Sequence, residues 1–158
     1  MSLAPRELNL FLLELVAARD RWEHLVRHAD DTRLYEQIWD DEHVNAWVIC
    51  WSEDQDTGFH DHDLSGAAIA VISGEVREER PRLGSTPRSK VIRAGASFSV
   101  PPVAIHRLMH SGTTPAVTIR AYSPPLARTG VYRVGAGGEL QRESLTLEEE
   151  LRAEQSLT

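Results

Sequence analysis

The stretch Gly58–Gly74, GFHDHDLSGAAIAVISG, carries the chain's one His-X-His, at His60 and His62, just ahead of an apolar run closed by glycine. Residues two apart in a strand point the same way, with Cα atoms about 6.6 Å apart. Two imidazoles on one face can therefore converge on one metal ion. The competing reading is a pair of solvent-facing histidines at a strand end. A third histidine, His106, ends GASFSVPPVAIH on a separate predicted strand. Three histidines from two strands would build a site on rigid elements and leave coordination positions open. Neutral imidazoles suit iron, nickel, copper and zinc alike, so ligand type alone does not choose the metal.

The segments flanking this stretch also read as β-structure. VNAWVICW, ahead of it, is a buried-strand run rich in Val, Ile and Trp. After it, EVREER continues with polar character, and RLGSTPRSK reads as a long loop. KVIRAGASFSVPP reads as strand, glycine turn and strand. AIHRLMH and AVTIRAYS alternate, with SGTTP as the turn between them, and VYRV with ELQRESL suits a hairpin around GAGG. Before Asn45 the character is different. Leu8, Phe11, Leu12, Leu15 and Val16 recur at helical spacing, as do Trp22, Leu25 and Val26, and TRLYEQIW reads as a further short helix. LTLEEELRAEQ resembles a small acidic helix or a solvated tail without a role. The expected organisation is one domain over 1–158, with a helical segment at 1–40, a β-barrel at 44–145 and an acidic tail at 146–158. Many short strands without βαβ rhythm favour a closed or double-sheet β architecture.

The whole chain sets further bounds. Its 158 residues suffice for a real core, and 41% hydrophobic content is ordinary for a soluble protein. No apolar run approaches membrane-spanning length. The opening MSLAPRELNLFLLELV lacks the basic start and cleavage site of a secretory signal and reads as a helix lead-in. The single cysteine, Cys50, excludes an internal disulfide and suits a buried thiol in a cytoplasmic protein. A net charge of -7 and an aromatic fraction of 6% argue against a nucleic-acid binder.

Other chemistry is sparse. Asp54, Asp56, Glu75, Glu78 and Glu79 lie in turn-like or outer stretches, and none is spaced as a fourth ligand or as the general base of a zinc hydrolase. No nucleophile elbow surrounds Ser65, and GAGG lacks the lysine of a phosphate loop. His110 shares the parity of His106 and either lines the same cavity farther out or fills polar space near the turn. Thr118, Arg120 and Tyr122 share one strand face. A charge inside a barrel is costly unless paired, so Arg120 needs a buried acid or a substrate carboxylate. Arg33 and Arg107 are rival carboxylate receivers, although Arg107 has the parity opposite to His106.

These residues resemble the cysteine dioxygenase family of the cupin superfamily. HDHDLSGAAIAVISGEVREE at 60–79, PPVAIHRLMH at 101–110 and VTIRAYSPPL at 117–126 carry the likeness, which spans roughly 33–145. The resemblance implies a mainly β fold, a single cupin-type β-barrel (jelly roll) with N-terminal helices. It implies Fe(2+) held by His60, His62 and His106, with Tyr122 as the active-site tyrosine and Thr118 in place of an outer-shell serine. The animal enzymes crosslink a cysteine to that tyrosine; the matching position here is Ala67. Arg120 stands where the family has a histidine. The family's carboxylate-binding arginine falls at Leu34, and a shift of one residue brings Arg33 into place. Against the wider cupin pattern, the first motif lacks its glutamate, and Val103 and His110 replace glycine and asparagine.

The expected function is an iron(II)-dependent dioxygenase that uses O2 to convert a small carboxylate-bearing thiol, cysteine or a relative, to its sulfinic acid. Arg120 or Arg33 would anchor the carboxylate, and Tyr122 would bond the thiolate or the oxygen. The alternatives are 3-mercaptopropionate or a bulkier thiol such as ergothioneine as substrate, another cupin metalloenzyme (isomerase or hydrolase), and a non-catalytic binding cupin. The partners expected are the thiol and O2, with no nucleic acid and no membrane, and the oligomeric state stays open.

Overall fold

The computed structural model describes residues 2–150. Among them, helix α1 (Pro5–Ala17) leads through two short 3-10 turns into strand β1 (Leu34–Asp40) and then β2 (Asn45–Trp51). The strands that follow are β3 (His60–Asp61), β4 (Gly66–Ser73), β5 (Glu75–Arg82), β6 (Ser85–Arg93), β7 (Ser97–Val100), β8 (Arg107–Ser111), β9 (Ala116–Ser123), β10 (Arg128–Val134) and β11 (Leu140–Thr146). They form a five-stranded sheet ordered β1-β2-β9-β4-β7, and two three-stranded sheets ordered β11-β10-β3 and β6-β5-β8. This is the expected mainly β jelly roll, although the sheets do not close into one hydrogen-bonded ring among the described residues. No helix there is long and apolar enough to cross a membrane.

The five-stranded sheet is covered on both faces, which explains why β2 and β9 at its centre are buried at every position. Ala46, Val48 and Cys50 of β2, with Val117, Ile119 and Ala121 of β9, pack under Leu8, Leu12 and Leu15 of α1. Alanines at 46, 68, 70 and 121 let the helix lie close to the sheet. Cys50 is thus the buried thiol expected of it. On the opposite face Trp47, Ile49 and Trp51 join Ile69, Val71, Leu108 and Tyr122 in a second core inside the roll. A strand with two dry faces reads as a continuous apolar run. Helix α1 starts at Pro5, where the missing N–H costs nothing, and Glu7 accepts the Ala4 N–H at 2.7 Å.

Two expectations are corrected. The helical segment foreseen over 1–40 ends by Leu25, and TRLYEQIW is mostly strand β1, paired with β2 from Leu34↔Cys50 to Asp40↔Asn45. A bulge between Gln37 and Trp39 breaks the two-residue alternation there. The apolar side chains are left at a spacing that imitates a helix. RLGSTPRSK is not a long loop. β5 turns at Leu83-Gly84 straight into β6, with Arg82 opposite Ser85 and Gly84 at φ 66°. The outer part of that hairpin is polar because it stands in solvent and is held by backbone hydrogen bonds. Of the acidic tail foreseen at 146–158, residues 151–158 lie outside the described residues.

Candidate metal centre

Three backbone relations bring the histidines together. His60 and His106 face each other as a bridged pair and exchange both N–H···O bonds at 2.9 Å. His62 follows two residues after His60, and all three rings are buried. Ring centroids lie 4.6 Å apart for His60–His106 and 5.0 Å apart for each of the other two pairs. One nitrogen from each ring lies within 4.8 Å of the others, and His62 Nε2 is 3.4 Å from His106 Nε2. Ligands about 2.1 Å from one ion, at tetrahedral to octahedral angles, sit roughly 3.0–3.4 Å apart. The His62–His106 pair is already at that spacing.

The far side of each ring fixes which nitrogen faces the centre. His60 Nδ1 lies 3.0 Å from the Gly58 carbonyl, and His106 Nδ1 lies 2.9 Å from the Glu78 carboxylate. Both rings therefore turn Nε2 inward. His62 Nδ1 is buried and has no hydrogen-bond partner among the described residues. Burial first, and the neighbouring imidazoles second, push His60 and His62 well below the usual histidine range. Burial lowers His106 too, and Glu78 offsets part of that. Three neutral imidazoles with converging lone pairs fit a transition-metal ion.

Glu78 is the main residue that sequence reasoning missed. Its sequence context, EVREER, reads as an outer polar stretch, yet it is 7% exposed and points inward from β5 beside Val76. The available signal was parity, since Val76 and Glu78 share a strand face. Burial raises its carboxyl, but His106 and Arg80 outweigh that and leave it below the usual value. An anionic acceptor on His106 Nδ1–H fixes the tautomer and makes Nε2 a better donor. Glu78→Gln is expected to weaken divalent-metal binding about 10-fold, and Glu78→Leu nearer 100-fold, as read by chelator competition. Unchanged affinity in both variants would make the contact incidental.

Asp61, between the two histidines, points the other way, as alternation demands. Its carboxylate accepts Tyr132 Oη–H at 2.5 Å and Arg142 N–H groups at 2.9 and 3.0 Å. Burial alone would raise this carboxyl; Arg142, Tyr132 and the Asp63 amide overcome it and bring it down to about 2. A carboxyl lowered by folding stabilises the fold above its unfolded pKa of about 3.9, and that contribution disappears as pH falls through the folded value. Arg142 is 38% exposed, so screening limits the gain to about 1–2 kcal/mol. Asp61→Asn should cost that amount at pH 7, and the gap from wild type in urea unfolding should close between about pH 4 and pH 2. A gap that stays constant with pH would contradict this.

A cavity of about 30 Å3 opens onto His60 and His62, walled among others by Arg120, Tyr122, Tyr35 and Glu150. Tyr122 packs edge-on against His62 with centroids 5.0 Å apart. Burial raises its hydroxyl, opposed by Arg120. Burial likewise pushes Tyr35 up to about 12. Arg120 is 4% exposed, and its Nε and Nη2 have no hydrogen-bond partner among the described residues. Its guanidinium stands over the Trp51 ring at 5.3 Å, and that of Arg33 over the same ring at 4.9 Å. Thr118 accepts the Trp51 indole N–H at 3.0 Å and so holds this ring in place. Arg33, the rival carboxylate receiver, is buried and does not line the cavity. Arg107 pairs with Asp56 near the surface, and His110 lies 2.7 Å from the Thr114 carbonyl at the turn, away from the cavity lining. Ala67 sits directly opposite Tyr122 across β4 and β9, so no thioether can form there.

A jelly roll whose inner strands bring three imidazoles together is a cupin-type fold with a candidate metal centre. Solved structures with this fold include a conserved protein with a double-stranded β-helix domain from Klebsiella pneumoniae, with a TM-score of 0.58 at 20% identity, covering 65% of this chain and 80% of that one. A cupin superfamily protein from Desulfitobacterium hafniense superposes with a TM-score of 0.56 at 10% identity, over 65% of this chain and 87% of that one. The chain belongs to the cysteine dioxygenase type I family, whose sequence profile matches residues 17–133. It is 27% identical over 103 residues to cysteine dioxygenase type 1 of Danio rerio, covering 58% of this chain. The chain spans about half (51%) of that relative's length.

Proposed function

We propose that this protein is a non-haem iron(II) dioxygenase that oxidises a small carboxylate-bearing thiol to its sulfinic acid. The observation that carries the reading is one cavity shared by converging imidazoles and a buried guanidinium with unused donors. Membership of the cysteine dioxygenase family supports it. His60, His62 and His106 would hold the iron. Iron(II) in such a site supplies the redox chemistry by which both atoms of O2 reach a thiol sulfur.

The chain's own residues do the rest. Leaving a guanidinium's donors unmet in a dry site is costly, and a substrate carboxylate meets them with two parallel N–H···O bonds. Arg120 Nε and Nη2 are the donors available for this. Trp51, stacked on that guanidinium and held by Thr118, fixes its direction. Tyr122 keeps its proton in this buried setting and donates Oη–H to the sulfur or to the oxygen it receives. The apolar walls Trp47, Ile49 and Leu126 exclude water, so each polar contact acts at low dielectric.

The test is anaerobic loading with Fe(II), followed by oxygen uptake and sulfinate analysis over a thiol panel. Stoichiometric sulfinate from a small thiol acid is the expected result. Metal-loaded protein that consumes no O2 with any thiol would overturn the proposal.

A further inference from the structure

The hairpin of β5 and β6, together with β7, bounds a second cleft of about 220 Å3. Glu78, Arg80, Arg88, Lys90, Ile92 and Phe98 line it, and none of the three histidines does. Its lining follows from the cross-strand register. Val76 pairs with Ile92, Glu78 with Lys90 and Arg80 with Arg88, so these six side chains share one face of the hairpin. Val76 and Ile92 are buried at the inner end of that face, and the charged pairs follow outward.

The charges there do not balance. Glu78 is already committed, because its carboxylate holds His106 Nδ1 at 2.9 Å and accepts Arg80 N–H groups at 3.0 and 3.4 Å. Arg80 also donates to the Ser99 carbonyl of β7 at 3.2 Å, which pins its guanidinium between the hairpin and β7. Arg88, directly opposite Arg80, and Lys90 make no hydrogen bond or ion pair among the described residues. Like charges directly opposite on paired strands repel and destabilise the pairing. Two guanidiniums and an ammonium thus stand around one acid, in a chain whose net charge is -7. On the other face of the same hairpin the pairing is complementary, with Arg93 at 3.4 Å from Glu75. Charged side chains on an edge strand deter strand addition. That plainer role is met by any exposed lysine or arginine and does not call for two arginines in register beside a cleft.

We propose that this cleft binds a small phosphate monoester, its dianionic phosphate held among Arg80, Arg88 and Lys90 and its organic part resting on Phe98. A dianion supplies the negative charge that this face lacks. Planar guanidiniums take phosphate oxygens two at a time, and a lysine adds a point charge.

Lys90 is the chain's one lysine, so its reactivity reports on this cleft alone. The Fe(II)-loaded protein is acetylated with and without phenyl phosphate, and each modified amine is followed by peptide mass spectrometry. Phenyl phosphate should slow acetylation of Lys90 and leave the N-terminal amine unchanged; benzyl alcohol, without the phosphate, should slow neither. Calorimetric titration of phenyl phosphate into Arg88→Gln and Lys90→Gln should show binding about tenfold weaker in each. Both positions are exposed on the hairpin, and circular dichroism should match wild type. Vesicles containing phosphatidate present the same group on a lipid surface, and no cosedimentation is expected. An unprotected Lys90 would overturn the proposal. So would phenyl phosphate binding undiminished in both variants, which would put the anion elsewhere, the metal included. Cosedimentation with vesicles without binding of the soluble ester would replace the cleft by a membrane-facing patch.

Discussion

His106→Ala is expected to abolish metal retention and, with it, all O2-dependent turnover. The ring does three things at once. Its Nε2 faces the other imidazoles, its Nδ1 is fixed by Glu78, and its backbone is paired with His60. Losing a ligand outright should cost more than the 10–100-fold that follows loss of a partner behind a ligand. Elemental analysis of the Fe(II)-reconstituted wild type should give about one equivalent, and the variant almost none. The backbone pairing with His60 does not need the ring, so the circular dichroism of the variant should match wild type. A folded His106→Ala protein that kept a full equivalent of iron would remove the basis of the proposed chemistry. His60→Ala and His62→Ala should behave alike, because no spare ligand stands within the cluster among the described residues.

Arg120→Met should separate function from stability. The substitution removes a buried guanidinium whose Nε and Nη2 have no hydrogen-bond partner among the described residues and leaves an apolar chain of similar length. Two unmet buried donors are removed, which offsets the lost attraction to Glu150 and the lost contact with Trp51, so Tm should change little. Catalysis should fall, because a substrate carboxylate would be left without its partner. That costs about 2–5 kcal/mol, or roughly 30-fold or more in kcat/KM. Cysteamine, which lacks the carboxylate, is the control, and its kcat/KM should fall far less. An equal loss with both thiols would remove Arg120 from carboxylate binding. Arg33→Met is the companion variant. Arg33 stacks on Trp51 outside the cavity lining, so its effect should be smaller and act through the position of that ring.

The centre was readable where its geometry is local. His60 and His62 share a face because strand side chains alternate, and Asp61 turns away to Arg142 for the same reason. Arg120 and Tyr122 lie on one face of β9, and their parity was visible in VTIRAYS. The buried runs NAWVICW and AVTIRAYS marked the sheet that carries them. Local reading failed at β1, where the bulge after Gln37 put Leu34, Tyr35, Ile38 and Trp39 at helix-like spacing. With that strand misread, Tyr35 was missed as a wall of the cavity.

By itself, then, the sequence determined most of the strands from β2 onward, their inward faces and three histidines able to meet, because periodicity and β-propensity act over a few residues. Only the tertiary structure decided which carboxylates serve the site. Glu78 reaches His106 from another strand, and Glu150 reaches the cavity from the far end of the described chain. A charge in a polar stretch looks solvent-bound until the packing of distant segments removes the water around it.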